Sequence, residues 1–499
     1  MMDKPNVLVI MSDQFKATAS HLWGNTFCET PSLERMADEG VQFQNAFTPH
    51  PLCVPARVSL WRSQFPHAHG SRRNELLMWT EGTHAFQIWK EEGFDIGLIG
   101  KNHCFDRAED LDLFDIWCEI THGGFDERDG FPNKGMEWVR PVEAIEEAHS
   151  IRRNMPDRGP HTSYAVSDFP LEDYGTGVVT SQTVHFLEEH REDPFALWVS
   201  YPDPHSPYEA PKKYADLFPP EVIDLPPWGE DDKEMMPERN RVLYHMLSRE
   251  DEPMENVYGY LACYYGMVRF LDDGVGKILD ALERLDLREN TIVVFCADHG
   301  DFAGEHCMGQ KGGVFYDCLT HIPMIVSYPG HIPQGEVEKG MVNLIDVVPT
   351  LFSLQDISTP RCMQGEPLPT VTDTVSRDTA FSEYGAGGPP FTMKDLRELS
   401  QPYGRYALMQ SLRWREAEGR RKMVRTRDWK YIHDPMGDKD ELYDLANDPW
   451  ELTNVIDDPT HDLIVHDLQA RLADWSIMTE DGHCVPLPEK KYYALPWER

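Results

Sequence analysis

The 499-residue chain is poor in positive charge: 47 lysines and arginines stand against 85 aspartates and glutamates, a formal net charge of -38. Such a balance repels phosphate backbones, which argues against nucleic acid as a partner and disfavours polyanionic polymers except at a locally cationic pocket. Long apolar runs are also missing. No stretch approaches the ~20 residues that cross a bilayer, so no membrane span is predicted. The start, Met1-Met2-Asp3-Lys4-Pro5, lacks the basic region, apolar run and small-residue cleavage site of a secretory leader. These absences predict a cytoplasmic protein. In that reducing compartment ten cysteines without regular pair spacing read as thiols and not as a disulfide framework. Internal repeats are missing too.

What is present suits a large core. Apolar residues make up 40% of the chain, with 13 tryptophans among them. The length allows two or three ordinary domains, or one large α/β domain with a smaller companion. Short continuous apolar runs suit strands buried on both faces of a parallel sheet: Asn6 to Met11, Gly93 to Ile99, Phe195 to Ser200 and Thr291 to Ala297. Each stops at a polar cluster, respectively Asp13-Gln14, Lys101-Asn102-His103, Asp203-Pro204-His205 and Asp298-His299. Thr30-Pro31 opens a helix that Gly40 closes, and Val257 to about Leu285 has a long helical pattern. Alternation of strand and helix implies a mostly parallel sheet sandwiched by helices, with ligands gathering outside the carboxyl ends of the strands. One shared site is therefore expected. Trp228 to Asn256 reads as an insertion or lid, or a plain solvated loop, and Tyr384 to Pro390 as a loop that either borders the pocket or merely turns.

From about residue 376 the texture changes. Lys422 to Val424 and Trp429 to Ile432 read as short strands, followed by Glu441-Leu442-Tyr443-Asp444-Leu445. Domains are thus expected at 1–375, carrying the catalytic site, and at 376–499, a smaller α+β unit with a small antiparallel sheet and a terminal helix.

Two groups of polar residues carry the chemistry. Asp13 and Gln14 follow one strand, Asp298 and His299 another, and together they offer carboxylate, amide and imidazole donors suited to one divalent cation. Lys101, His103, His205 and Lys311 form a cationic set able to hold oxyanion oxygens and absorb charge on a leaving oxygen. Between them in the chain stands Pro51-Leu52-Cys53-Val54-Pro55-Ala56-Arg57, where Arg57 makes a poor core residue unless it is paired.

Cys53, Pro55 and Arg57 together resemble the signature of the type I, formylglycine-dependent sulfatases of the alkaline phosphatase-like superfamily. Gly100-Lys101-Asn102-His103, Pro204-His205-Ser206-Pro207, Asp298-His299-Gly300 and Lys311 resemble further family segments in the same order, from residue 5 to about 460. The resemblance implies a sulfuric ester hydrolase acting on a small sulfate monoester. A formylglycine-generating enzyme would oxidise Cys53 to an aldehyde whose hydrate is the nucleophile. Asp13, Gln14, Asp298 and His299 would hold one cation, calcium by family habit with manganese as competitor, since Gln14 and His299 lower the charge and hardness of the set. Arg57 would anchor residue 53, Asp298 would act as base, and His205 or Lys311 would protonate the leaving alcohol. His103 would then deprotonate the second hydroxyl, expelling sulfate and restoring the aldehyde.

The chain departs from the family after Leu60, with Arg62-Ser63-Gln64 where Thr-Gly-Arg is common. Phosphonate monoester and phosphodiester hydrolases share the cysteine motif, the Asp-Gln pair and the Asp-His pair, and are the nearest alternative; Lys101 and His103 favour sulfate. A two-metal phosphatase with a serine or threonine nucleophile is disfavoured by Cys53, and a non-enzymatic binding protein would leave these polar groups idle. The alcohol half stays open among sugar, alkyl, aryl and choline sulfates. Arg72, Arg73 and Asn74 either touch substrate or serve in structural salt bridges. Lys490 to Arg499 is a dimer arm if the chain forms a homo-oligomer.

Overall fold

The computed structural model describes residues 4–79, 82–125, 133–155, 163–229, 232–399 and 419–480. In chain order the strands of its first part are β1 (Asn6–Ser12), β2 (Gly40–Phe47), β3 (Asp95–Gly100), β4 (Ile116–Glu119), β5 (Asn133–Lys134), β6 (Tyr164–Ser167), β7 (Phe195–Tyr201), β8 (Tyr208–Pro211), β9 (Thr291–Ala297), β10 (His321–Ile322), β11 (Met324–Ser327) and β12 (Glu336–Asn343). β6 and β8 form a separate parallel pair. The rest make one ten-stranded sheet.

β1 lies at its centre, flanked in parallel by β7 and β9. All three strands are buried along their whole length, which is why they read as unbroken apolar runs. β3 pairs in parallel with β7 and β4 with β3. On the other side β11 is antiparallel to β9 and β2, while β12 runs parallel to β2. Only β5, β10 and β11 oppose the common direction, so the expected mostly parallel sheet is found, in mixed form.

Alternation along β7 shows how both faces are covered. Trp198 and Ser200 point one way, Trp198 against Trp61 with ring centroids 5.2 Å apart and Ser200 toward Arg57, both on the helix Cys53–Arg62. Tyr201 points the other way and its hydroxyl meets Thr180 on the helix Gly175–Glu189, 2.9 Å away. The long helix Met254–Arg284 packs beside the latter, close to the span read from its periodicity.

Two expectations need correction. Gly40 does not close the first helix, which ends at Asp38; it opens β2. A side chain there is excluded because an added Cβ would lie 2.1 Å from the Val326 carbonyl oxygen of β11. The span from Trp228 is not a solvated loop. It contains the helix Glu238–Leu247, whose Arg239 pairs with Asp434 and whose Asn240 amide donates to Glu441 at 2.9 Å and Tyr316 at 3.0 Å.

Those partners belong to or adjoin a second, antiparallel sheet of β13 (Ala380–Tyr384), β14 (Arg421–Arg425), β15 (Trp429–His433) and β16 (Glu441–Asp444), in that order. The helix Asp462–Met478 covers it through Leu468, Leu472 and Trp475, packed on Val424, Tyr431 and Leu442. Lys430, fully buried on β15, reaches Asp317 and Glu451 at 2.5 Å each and ties the sheet to the segment after β9. All nine cysteines of the described residues are unbridged. No helix among the described residues is long and apolar enough to cross a membrane. Lys490 to Arg499 lies outside the described residues.

Candidate active site

The common strand direction places the ends of β1, β3, β7 and β9 along one rim, and the polar residues that follow them converge there. β2 ends at Phe47, and the chain then turns into the helix Cys53–Arg62, of which Cys53 is the first residue. Its side chain therefore sits at the positive end of a ten-residue helix, where a negative charge is favoured.

Around the Cys53 sulfur the predicted residues assemble. Lys311 Nζ lies 2.8 Å from Sγ, His299 Nε2 at 3.1 Å and Asp13 Oδ1 at 3.7 Å, and His103 stands beside the same sulfur. Lys311 Nζ is 3.0 Å from His205 Nε2, so the two rim groups stand side by side. Lys101 donates to Asp13. Arg57, fully buried, donates Nε to Asp298 at 2.9 Å and Nη1 to Ser200 Oγ at 2.8 Å and the Lys101 carbonyl at 2.9 Å, with Nη2 3.3 Å from Asp13. All ten residues singled out from the sequence thus share one cup.

The electrostatics follow from this crowding. Burial alone would push the Cys53 thiol up, but Lys311, Lys101 and His299 outweigh it and hold it well below its ordinary value. Burial and Cys53 also oppose ionisation of Asp13, yet Lys101, His205 and Arg57 keep its carboxyl below the usual carboxylate range. His205 is lowered to about 4, first by burial and then by Lys311, and His103 is lowered by burial and Lys101. Lys311 is raised: burial opposes its charge, but Cys53, Asp13 and Asp298 more than compensate. Rim histidines are thus neutral acceptors while Lys311 is a cation.

The deep side of the cup fits a cation. Ligand atoms of Asp13, Cys53, Asp298 and His299 lie within 4.8 Å of one another. His299 Nδ1 donates to the Gly300 carbonyl at 2.9 Å, which leaves the Nε2 lone pair facing the cup. Gln14 Oε1 is buried without a hydrogen-bond partner, a costly state for an amide oxygen unless something positive faces it. Its orientation is imposed: the Gln14 amide donates to Asp301, which also takes the Tyr208 hydroxyl at 2.8 Å. Gln14 and His103 both hold left-handed backbone, φ 66° and 56°, a strain that concentrates where function over-determines the chain. Asp298 accepts from Gln14 N at 3.0 Å, His299 N at 2.9 Å and Arg57 Nε, which fixes the carboxylate and still leaves an Oδ2 lone pair, an arrangement that suits a fixed ligand better than the mobile base expected of it.

Asp301→Asn removes the charge that holds the Gln14 amide. We expect calorimetric affinity for calcium or manganese to fall by about tenfold, with Tyr208→Phe in between and the fold unchanged by circular dichroism. Unchanged affinity in both variants would show that Gln14 needs no such support.

Several contributors escaped the sequence reading. Asp301 and Tyr208 look like ordinary polar residues along the chain. His122 stacks on His205 with ring centroids 4.6 Å apart, and it follows β4, a strand whose recognition would have exposed it by the strand-end rule. Asn74, by contrast, was singled out from the sequence, and of the two roles left open for it the structural one is seen: it caps the nucleophile helix, its Oδ1 accepting from Val54 N at 3.1 Å.

Comparison with known proteins agrees with this geometry. Residues 5–357 match the family model described as Sulfatase. The chain is 25% identical to an arylsulfatase of Clostridium perfringens over 91% of this chain and 90% of that one. It is 28% identical to a choline-sulfatase of Rhizobium meliloti over 91% and 83%. Among solved structures, the phosphonate monoester hydrolase of Agrobacterium radiobacter shares the fold with a TM-score of 0.76, at 22% identity over 98% of this chain and 99% of that one. With a family match across most of the chain and the motif residues gathered at one sheet rim, the protein belongs to the sulfatase family.

Proposed function

We propose that the protein hydrolyses a small sulfate monoester, with residue 53 oxidised to formylglycine by a formylglycine-generating enzyme and one divalent cation held by Asp13, Gln14, Asp298 and His299. The observation that supports this most is the convergence of Lys311 at 2.8 Å and His299 at 3.1 Å on the sulfur of a residue at a helix N-terminus. When bound, the cation supplies Lewis acidity toward sulfate oxygens; calcium is the ion proposed, with manganese as competitor because His299 contributes nitrogen. Once oxidised and hydrated, residue 53 supplies one hydroxyl to attack sulfur and a second through which sulfate is expelled.

The chain's own groups do the rest. Arg57 pairs with Asp13 and Asp298 and fixes the helix that carries residue 53. Lys101 adds positive charge on the same carboxylate. His103, neutral and within hydrogen-bond reach of residue 53, is placed to take the proton whose loss releases sulfate. Lys311, cationic, is the proton donor for the leaving alcohol, and His205, a neutral acceptor 3.0 Å from its Nζ, orients it.

A second reading, hydrolysis of phosphonate monoesters or phosphodiesters, draws on the Asp13-Gln14 pair and the likeness of fold. Kinetics on matched aryl sulfate and aryl phosphonate esters decide between them. We expect kcat/KM for the sulfate to exceed that for the phosphonate by about tenfold or more. A higher value for the phosphonate would reverse the ranking.

A further inference from the structure

One cationic feature has no part in the chemistry above. A cavity of about 260 Å³ opens beside the small sheet, lined by the cations Arg72, Arg420 and Lys422, by His67 and by two carboxylates, Glu383 and Glu480, and bordered by Tyr384. We infer that it is a subsite for a second anionic group of the substrate, a carboxylate or another sulfate, so that the preferred ester carries at least two negative charges. This rests on the sulfate-ester reading.

Charge is the first argument. In a chain of net charge -38, cations gather here beyond what the local carboxylates neutralise. Glu383 is already engaged, with His67 Nδ1 at 2.9 Å and Lys422 Nζ at 3.6 Å. Lys422 also lies over the Trp475 ring, 4.2 Å from its centroid. Arg72 and Arg420 remain. Among the described residues the guanidinium of Arg72 has one hydrogen bond, a long one of 3.4 Å to the His67 carbonyl. Arg420 is exposed and pairs with no carboxylate among the described residues. Burial pulls Arg72 below its ordinary value, Glu383 opposing and Arg420 adding to the effect, as happens when like charges crowd without sufficient counter-charge. A purely structural arginine would be expected to find a carboxylate. Arg73, its neighbour, does so with Glu75 at 3.4 Å.

Position is the second. Arg72 stands two residues before Asn74, whose side chain caps Val54 next to the nucleophile, and two residues of extended chain span at most about 7 Å. Tyr384 joins the cavity to the segment that follows Lys311. Its ring lies 5.3 Å from the His50 ring, and a Cβ added at Gly313, two residues beyond Lys311, would meet it at 2.2 Å. The third argument is size: 260 Å³ equals the space of roughly nine waters at ~30 Å³ each, ample for a carboxylate or sulfate with part of its carrier. By contrast, in the larger cavity of about 540 Å³ between β12 and the helix Asp462–Met478 three of the four lining cations are paired: Arg377 with Asp346, Arg427 with Asp428, and Arg471 with Asp378 and Asp467.

The test compares 4-nitrophenyl sulfate with analogues bearing a carboxylate or a second sulfate on a short arm, using the full matured chain. The anionic analogues should be preferred by about tenfold or more in kcat/KM at low salt, less so as ionic strength rises. Arg420→Ala and Arg72→Ala should abolish that preference through KM, with kcat/KM on 4-nitrophenyl sulfate altered by less than about threefold. Added inorganic sulfate should inhibit turnover of the anionic analogues more strongly than that of 4-nitrophenyl sulfate, whose inhibition reads product binding in the cup; if instead it activates turnover of the plain ester, the cavity serves a free anion and the inference fails. Absence of preference in the wild type, or equal losses on all esters in both variants, overturns it while leaving the sulfatase reading intact. No turnover of any sulfate ester would overturn both.

Discussion

Replacing Cys53 by alanine is expected to lower kcat/KM by about 10⁴-fold or more, because no neighbouring group can substitute for a nucleophile held at this point. Sγ is the one atom that Lys311, His299 and His103 all address, and the residue opens a helix whose position Arg57 fixes from below. Folding should survive, since alanine is smaller than cysteine and the lost side-chain contacts are few. Cys53→Ser separates the formylglycine reading from a simpler nucleophile. A serine can attack sulfur once but lacks the second hydroxyl through which sulfate is expelled. The serine variant should therefore release about one equivalent of alcohol per site and stall with a sulfate adduct on residue 53. Mass spectrometry of that peptide reads both states: an aldehyde in the natively produced active protein, an adduct in the serine variant. Unmodified cysteine in a fully active preparation, or multiple turnovers by the serine variant, would sink the mechanism.

Arg57→Ala is expected to be the most damaging substitution for the fold as well as for turnover. The guanidinium is wholly buried and pairs with Asp298 at 2.9 Å and Asp13 at 3.3 Å. Its removal leaves two buried carboxylates facing each other without it, and breaking a buried ion pair from one side costs about 3–5 kcal/mol. The helix Cys53–Arg62 also loses its bond to Ser200 on β7 and its stacking over Trp198, 5.7 Å from guanidinium carbon to ring centroid. We expect a fall in Tm of several degrees together with a loss of at least about 10³-fold in kcat/KM. Arg57→Lys keeps the charge but not the fork, and should recover part of the stability with little of the activity. Saturating calcium or manganese should raise the Tm of the alanine variant more than that of the wild type, because a cation takes over neutralisation of Asp13 and Asp298. Equal shifts in both proteins would argue that Arg57 and the cation do not share these carboxylates.

How far the residues alone led can be judged element by element. β1, β7 and β9 were legible because strands buried on both faces are continuous apolar runs, and their polar ends marked the site. β2 was not, since Gln42, Gln44 and Asn45 interrupt its apolar character and its place between β11 and β12 is supplied from distant segments. Gly40 looked like a helix terminator when its real constraint is a carbonyl on a strand nearly three hundred residues away. The helix Glu238–Leu247 looked like a solvated loop because its charged residues find their partners on the second sheet.

The order of residues, read together with its resemblance to the sulfatases, was thus enough to name the ten groups of the cup: strand ends in a parallel sheet must gather at one rim, and the resemblance added Cys53, Arg57 and Lys311. Packing in three dimensions settled what those groups can do. It orients the Gln14 oxygen through Asp301 and Tyr208, holds Asp298 in place with three donated hydrogen bonds, and stacks His122 under His205. The physical reason is that a hydrogen bond or an unpaired charge depends on distances set by segments hundreds of residues apart, whereas a buried strand declares itself within its own few residues.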